Sequence, residues 1–378
     1  MEKRYNFRLY PTKTQEKQIR RNFGSVRFVY NYFLNKRIER FKADGSFYSY
    51  GEAAKDLTAL KKTAGYEWLR EADSHSLQNA LKKMDRAYAA FFRRVRETRG
   101  APGFPRFKRK RETRRSYTSQ SQAGRAYIEL GERAIKLPKL GLVKCRVSRQ
   151  AEGRIVNASV FQVPSGKYYV SVCCTDIEAR ELPRTGQAVG LHLGIKDLAI
   201  ASDGRTFENG RFLEKAQKKI SRLQRRLSRK SNDSASREKA RIALAKAHER
   251  MKNQRTDALQ KLTTQLTRDY DLICVRGEEL RKMARRRPFA RYLADAAWGE
   301  LISKLRYKCG WYGKTLAVID PSYPSTRICG ACGHKSGEAS AGKRTGVWTC
   351  PECGATHQRA RNAAANTLEE GRRLLSTA

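Results

Sequence analysis

Acidic residues are what this sequence has too few of. Asp and Glu number 37 against 80 Lys and Arg in 378 residues, a formal charge of +43 at pH 7. A fold with that imbalance repels itself unless a polyanion neutralises much of it, and here the cations run through the whole length instead of sitting in a tail. Nucleic acid is the expected partner, and neither a small-molecule substrate nor a membrane is. Long apolar runs are missing too. None reaches the roughly 18 to 20 residues of a membrane span, and the stretch Met1-Glu-Lys-Arg-Tyr-Asn-Phe-Arg8 has no apolar signal core. The expectation is a cytoplasmic protein of the bacterial nucleoid. Internal repeats and long low-complexity segments are also absent, while 39% hydrophobic residues suffices for real cores in an α+β multidomain chain.

Cysteine is present in two kinds. Cys329-Gly-Ala-Cys332 and Cys350-Pro-Glu-Cys353 stand seventeen residues apart. That spacing offers four thiolates for one tetrahedral zinc, with Gly330, Gly333 and Gly354 at the tight turns. Four thiolates leave no open coordination position, so the metal is expected to be structural. The other five (Cys145, Cys173, Cys174, Cys274, Cys309) lie in apolar settings, the usage of a reducing compartment.

Tyr5, Phe7 and Leu9 alternate as a strand, and Pro11-Thr12 opens a helix over about 13–43. Leu77, Leu81, Met84, Tyr88 and Phe91 recur at helical spacing over about 74–98. Such a stripe reads as a bundle core before a base-stacking platform, and its polar flank (Ser74, His75, Gln78, Asn79) is better placed to meet a ligand. From about 115 to 180 the pattern turns strand-like and predicts a small β-barrel. After Gly186, residues 189–204 predict two strands, followed by charged helices over about 211–229 and 235–268. Beyond them come a strand at 272–275, a helix over Tyr292–Tyr312, a strand at Thr315–Ile319 and a last helix over about 361–375.

Several stretches taken together resemble the TnpB family, transposon-encoded RNA-guided nucleases ancestral to compact type V CRISPR effectors. They are Phe7-Arg-Leu-Tyr-Pro11, Leu77-Gln-Asn-Ala-Leu81, Gly103-Phe-Pro-Arg-Phe-Lys108, Gly190-Leu-His-Leu-Gly194, Asp295-Ala-Ala-Trp-Gly-Glu300, the four-cysteine module and Arg361-Asn-Ala-Ala-Ala-Asn366. The resemblance spans essentially the whole chain in the family's order. It implies a wedge-type β-barrel (1–10 and 101–183), a helical recognition region (11–100), an RNase H-like RuvC domain (184–320 and 355–378) and a zinc-ribbon module (321–354). It also implies a guide RNA and a double-stranded DNA target as partners. The number of copies per RNA is open.

A RuvC centre needs carboxylates that hold two Mg²⁺ ions. The family's first acid belongs in Gly-x-Asp-x-Gly, where this chain has His192. Its second closes an apolar strand, where ungapped alignment puts Arg276, and its third falls at Ala360 in Gln358-Arg-Ala-Arg-Asn-Ala-Ala364. An imidazole, a guanidinium and a methyl group cannot assemble two Mg²⁺ ions, so no catalytic Mg²⁺ is expected. The nearest substitutes are Glu278, two residues past Arg276, and Asp197, five past His192. Arg276 has two readings, a contact to a DNA phosphate or an ion pair with Glu278 or Glu279.

The pattern resembles the nuclease-dead TnpB-like repressors known as TldR, which implies guided DNA binding without cleavage and repression by a persistent R-loop. Other readings are an active endonuclease with relocated carboxylates and a protein that binds only RNA. For the DNA motif beside the target, the candidates are Tyr50, Ser74, His75, Gln78, Asn79, Thr118 and Gln120. Arg106, Lys108, Arg114, Arg115 and Arg276 are the candidates for phosphate contacts.

Overall fold

A capping box starts the first long helix: Thr12 Oγ1 accepts from Gln15 N (3.3 Å) and Gln15 Oε1 accepts from Thr12 N (3.0 Å). Helix α1 then runs Lys13–Asp44 and stops at Gly45, whose φ of 69° suits a residue without a Cβ. The computed structural model describes residues 1–97, 103–110, 115–121, 127–277, 289–336 and 346–377. It divides into two units, Met1–Glu178 and Ala179–Ala378.

In the first unit, α2 (Tyr50–Leu60) and α3 (Ser74–Glu97) join α1. The α3 stripe is core: Leu77, Leu81 and Met84 are fully buried, each contributing about 1.5–3 kcal/mol by leaving water. Seven strands form one sheet in the order β2-β6-β7-β1-β5-β4-β3. They are β1 (Lys3–Leu9), β2 (Arg115–Gln120), β3 (Glu129–Leu130), β4 (Ala134–Leu137), β5 (Gly141–Arg146), β6 (Arg154–Gln162) and β7 (Tyr168–Thr175).

This corrects the expected barrel. Among the described residues the sheet is open, with β2 and β3 at its edges and no ladder between them. A helix covers the β2 edge instead of a strand, since Asn79 Nδ2 of α3 donates to Thr118 O at 2.8 Å.

The second unit is a five-stranded sheet in the order β10-β9-β8-β11-β12. The strands are β8 (Ala188–Leu193), β9 (Asp197–Ala201), β10 (Thr206–Glu208), β11 (Leu272–Arg276) and β12 (Thr315–Ile319). β8, β9 and β10 are antiparallel, whereas β8, β11 and β12 are parallel. Helices α4 (Phe212–Ser228) and α5 (Ala235–Asp269) follow β10. The single helix expected over Tyr292–Tyr312 is two, α6 (Phe289–Ala296) and α7 (Trp298–Tyr312), broken at Ala297 with φ 50°. Alanine is a good helix former, so nothing local announces that break.

Alternation along β8 sends Val189, Leu191 and Leu193 into a core shared with Leu259, Leu266, Leu301 and Leu305 of α5 and α7. The opposite face receives α8 (Arg359–Ser376) at close range. A Cβ on Gly190 would lie 2.0 Å from Ala364 O, and one on Gly371 would lie 2.3 Å from Cys274 Sγ. Glycine at these two positions is what lets the helix lie on the sheet. Between β12 and α8 lies the cysteine module with its hairpin, β13 (Val347–Thr349) and β14 (Thr356–Gln358).

Candidate functional site

The four cysteines converge. The Sγ atoms of Cys329, Cys332, Cys350 and Cys353 all lie within 4.8 Å of one another. Cys329 to Cys353 and Cys332 to Cys350 are both 3.7 Å. A tetrahedron with Zn–S bonds of about 2.3 Å has S···S edges of about 3.8 Å, so the donor set fits zinc and fills its shell. The two turns are built alike, with Gly333 N donating to Cys329 O (2.9 Å) and Gly354 N to Cys350 O (3.0 Å). Burial would raise the Cys329 thiol, but the backbone N–H groups of Cys332 and Ala331 bring it down to about 7. His357 Nε2 stands 3.0 Å from Cys329 Sγ, in position to hydrogen-bond a ligating thiolate.

Helix α8 holds this module through two asparagines. Asn362 accepts from Gly330 N (2.8 Å) and donates to Ile328 O (2.7 Å), while Asn366 donates to Ser325 O and Ile328 O, both at 2.8 Å. Sequence reading used these residues only as part of a motif. Their role follows from their i, i+4 spacing on one helix face.

The start of the same helix meets His192 and Arg276. Cys274 pairs with Gly190 in the parallel ladder, so two residues further on Arg276 comes level with His192. Both continue the α8-facing alternation of Gly190 and Cys274. The structure thus gathers β8, β11 and the first turn of α8, which carries Ala360 and, unanticipated from sequence, Arg359. Burial, and then the nearby Arg276 and Arg359 charges, push the His192 imidazole down to about 4. Arg359 is itself lowered by burial, and its Nε is buried with no hydrogen-bond partner among the described residues. These side chains do not fit a divalent cation. Asp197 begins β9 three residues before Ile200, the ladder partner of His192, so alternation sets it on the other face. Glu278, Glu279 and Arg114 lie outside the described residues.

In the first unit a cavity of about 560 Å³ has Phe23 and Val26 in its walls together with the cations Arg20, Arg27, Lys108, Arg109, Lys110 and Arg115. Arg106 is exposed nearby in sequence. The Lys108 backbone is clamped by Asn31 (N–H to Oδ1 2.8 Å, O to Nδ2 2.9 Å), and its ammonium lies 3.8 Å from the Tyr30 ring centroid.

The motif-reading candidates separate. Ser74 and Gln78 are exposed on α3, and His75 sits beside Asp73 at 3.8 Å. Tyr50 carries Lys82 over its ring at 5.9 Å, Thr118 Oγ1 bonds Ser159 Oγ at 2.8 Å, and Gln120 ends β2 half-buried. The Asn79 amide holds the β2 edge through its Nδ2. In the second unit, Arg222, Arg225 and Arg226 of α4, with Arg229 just past its end, form an exposed ridge that sequence reading passed over.

The thiolate set fits a structural zinc, and the cation-lined surfaces suit a polyanion. Comparison with known proteins gives the family. Residues 171–287 match the OrfB_IS605 family, described as "Probable transposase", and residues 298–367 match the Cas12f1-like TNB domain. Residues 1–46 match a helix-turn-helix domain, although here they form one strand and one continuous helix. A Streptomyces pristinaespiralis protein named "Putative RNA-guided DNA endonuclease" is 35% identical over 97% of this chain and 89% of its own length. Escherichia coli K12 InsQ, named likewise, is 32% identical over 98% and 93%. The chain belongs to the TnpB family. Its fold is similar to that of Cas12f1 in the cryo-EM Cas12f1–sgRNA–target DNA complex (TM-score 0.62, 11% identity, 97% of this chain and 98% of that one).

Proposed function

We propose that this protein carries a guide RNA, pairs it with a matching DNA duplex beside a short protein-read motif, and stays bound without cutting, so that it represses transcription by occupying the site. The observation that carries this reading is the trio at β8, β11 and the start of α8. His192 and Arg276 share one face beside Ala360, and the charges His192 feels are cationic. The sheet order, three antiparallel strands followed by two parallel ones, supports an RNase H-like RuvC domain in which these positions would hold the acids. With no carboxylate at His192, Arg276 or Ala360, these three positions offer the two Mg²⁺ ions of phosphodiester hydrolysis no ligands. The names of the relatives support guide RNA and duplex DNA as partners, and the formal +43 supports a polyanion in general.

Base pairing would supply target choice, and the protein would read only the adjacent motif. Gln78, exposed on α3, is the proposed reader, since its amide can bond adenine bidentately. Zinc at the four cysteines would hold the module that α8 grips.

The test is to purify the protein with its co-expressed RNA, sequence the RNA, and incubate the complex with a matching labelled duplex in Mg²⁺, comparing native and denaturing gels. A shifted, uncut duplex is expected, with Gln78→Ala weakening the shift but not RNA retention. Guide-dependent cutting would overturn the inactive reading in favour of relocated carboxylates. RNA retention with no shift on any matched duplex would leave an RNA-only binder.

A further inference from the structure

Helix α1 carries a glycine that its own packing does not explain. Gly24 lies well inside the helix, where glycine is a poorer choice than alanine, yet a Cβ built on it would meet nothing within 4 Å. The open space is the cavity of about 560 Å³ in the first unit, which Gly24 lines together with Arg20, Phe23 and Arg27. These four share one helix face at i, i+3, i+4 and i+7, so an arginine stands one turn before the ring and another one turn after it. Glu16 orients Arg20 at 3.0 Å. Lys110 and Arg115 line the cavity from the chain beyond α3, and the side chains of Arg27, Lys110 and Arg115 have no ion pair or hydrogen bond among the described residues. None of the described lining residues is acidic. The facing wall is preset, because Asn31 of the same helix clamps the Lys108 backbone at 2.8 and 2.9 Å.

Size and chemistry narrow the occupant. A sphere of 560 Å³ is about 10 Å across, less than the ~12 Å width of a duplex major groove, so a duplex stays outside and a single nucleotide enters. We infer that this cavity takes one unpaired nucleotide of a bound strand, its base against Phe23, Val26 and the bare backbone at Gly24 and its flanking phosphates on Arg20, Arg27 and Arg115. The apolar floor suits the face of any base, and cations on both sides of it suit a nucleotide joined to a strand through two phosphates better than a free mononucleotide. Glycine at position 24 leaves the helix backbone open so that the base can approach it closely. An unpaired RNA nucleotide and an unpaired nucleotide of an opened DNA duplex share this chemistry. The site rests on the proposed function only in that the chain carries RNA to a matching duplex, and it is independent of whether that duplex is cut.

The test uses the whole chain assembled on its RNA and a matched duplex, with 4-thiouridine placed singly along the RNA and 4-thiothymidine singly along each DNA strand. After irradiation and trypsin, one position should crosslink to the peptide Asn22–Arg27, and the strand that carries it identifies the source of the nucleotide. Crosslinks to that peptide from no position, or equally from many, would overturn the site, and because the chain is unaltered a folding defect cannot imitate either result. An abasic residue at the crosslinking position should quicken release of that strand by roughly 5- to 150-fold, the effect of losing one stacked base. Gly24→Leu, which fills the space, should quicken release comparably, keep or raise the melting temperature, and add nothing to the abasic loss. Release at the unaltered rate by Gly24→Leu, losses that add, or a lowered melting temperature that shows the space to be closed would each overturn the inference. Guide-dependent cutting of the duplex would remove the inactive reading and leave this site standing, whereas an uncut duplex with no crosslink to Asn22–Arg27 would remove only the site.

Discussion

The first unit and the second both gather positive charge, and they do so by opposite means. In the cavity bounded by α1 and β2, long cations including Arg20, Arg27 and Arg115 reach into an open space around Phe23. Between β8, β11 and α8, two arginines and an imidazole are fixed by strand register and a close helix, and the Arg359 Nε is sealed from water. Open cations track a polyanion through water and salt, and each contributes modestly. Cations fixed by register and packing are few and position-specific. The contrast separates an open cationic surface from a centre fixed by strand register and helix packing.

The largest expected effect comes from removing the metal. Structural zinc contributes about 10–16 kcal/mol in small thiolate modules. Stripping it, or Cys350→Ser, should unfold residues around β13 and β14 and free Asn362 and Asn366 from the first cysteine turn. Hydrogen exchange should then rise through the first turn of α8 while the first unit stays protected. Unchanged protection at the α8 start would mean that the centre does not depend on the module.

A middle-sized effect should follow in the open cavity. Arg27→Gln with Arg115→Gln should lower the log–log salt slope of nucleic-acid binding by about 0.7–0.9 for each phosphate left without its cation, with roughly tenfold weaker binding at moderate salt. The same slope in the double variant would remove this cavity from the interface.

The smallest effect is one of pH. The folded-state pKa of His192 lies below its unfolded value of about 6.5, so the unfolded chain binds the extra proton first. Stability from this residue is therefore full above about pH 6.5 and is lost as the pH falls towards 4. With its accessible edge allowed for, that amounts to about 1–2 kcal/mol. Denaturant titrations of the protein and of His192→Asn should diverge over that window, and parallel curves would contradict the burial of the imidazole and its cationic surroundings.

Much of this was legible in advance where chemistry is local. The CxxC pairs announced four converging thiolates, Pro11-Thr12 announced the start of α1, and the apolar run Thr315–Ile319 announced β12. What failed depended on partners distant in sequence. The barrel was expected because the strands of the first unit alternate, but closure depends on which edges meet, and α3 covers β2 through Asn79. Asn79 carries the same amide as Gln78, and its bond to a carbonyl 39 residues away is likewise invisible in the sequence.

The sequence by itself determined the four-cysteine set, the charge and the identities of His192, Arg276 and Ala360, because ligand type, ionisation and residue identity are properties of single side chains at short spacing. Only the tertiary structure decided that His192 and Arg276 share one sheet face at the start of a helix, opened by Arg359, that is bolted to the cysteine turn. It did so through a parallel ladder and two glycines at which backbone and sulfur come too close for any Cβ. A buried charge acquires its meaning from its neighbours, and those neighbours here come from segments more than 80 residues apart.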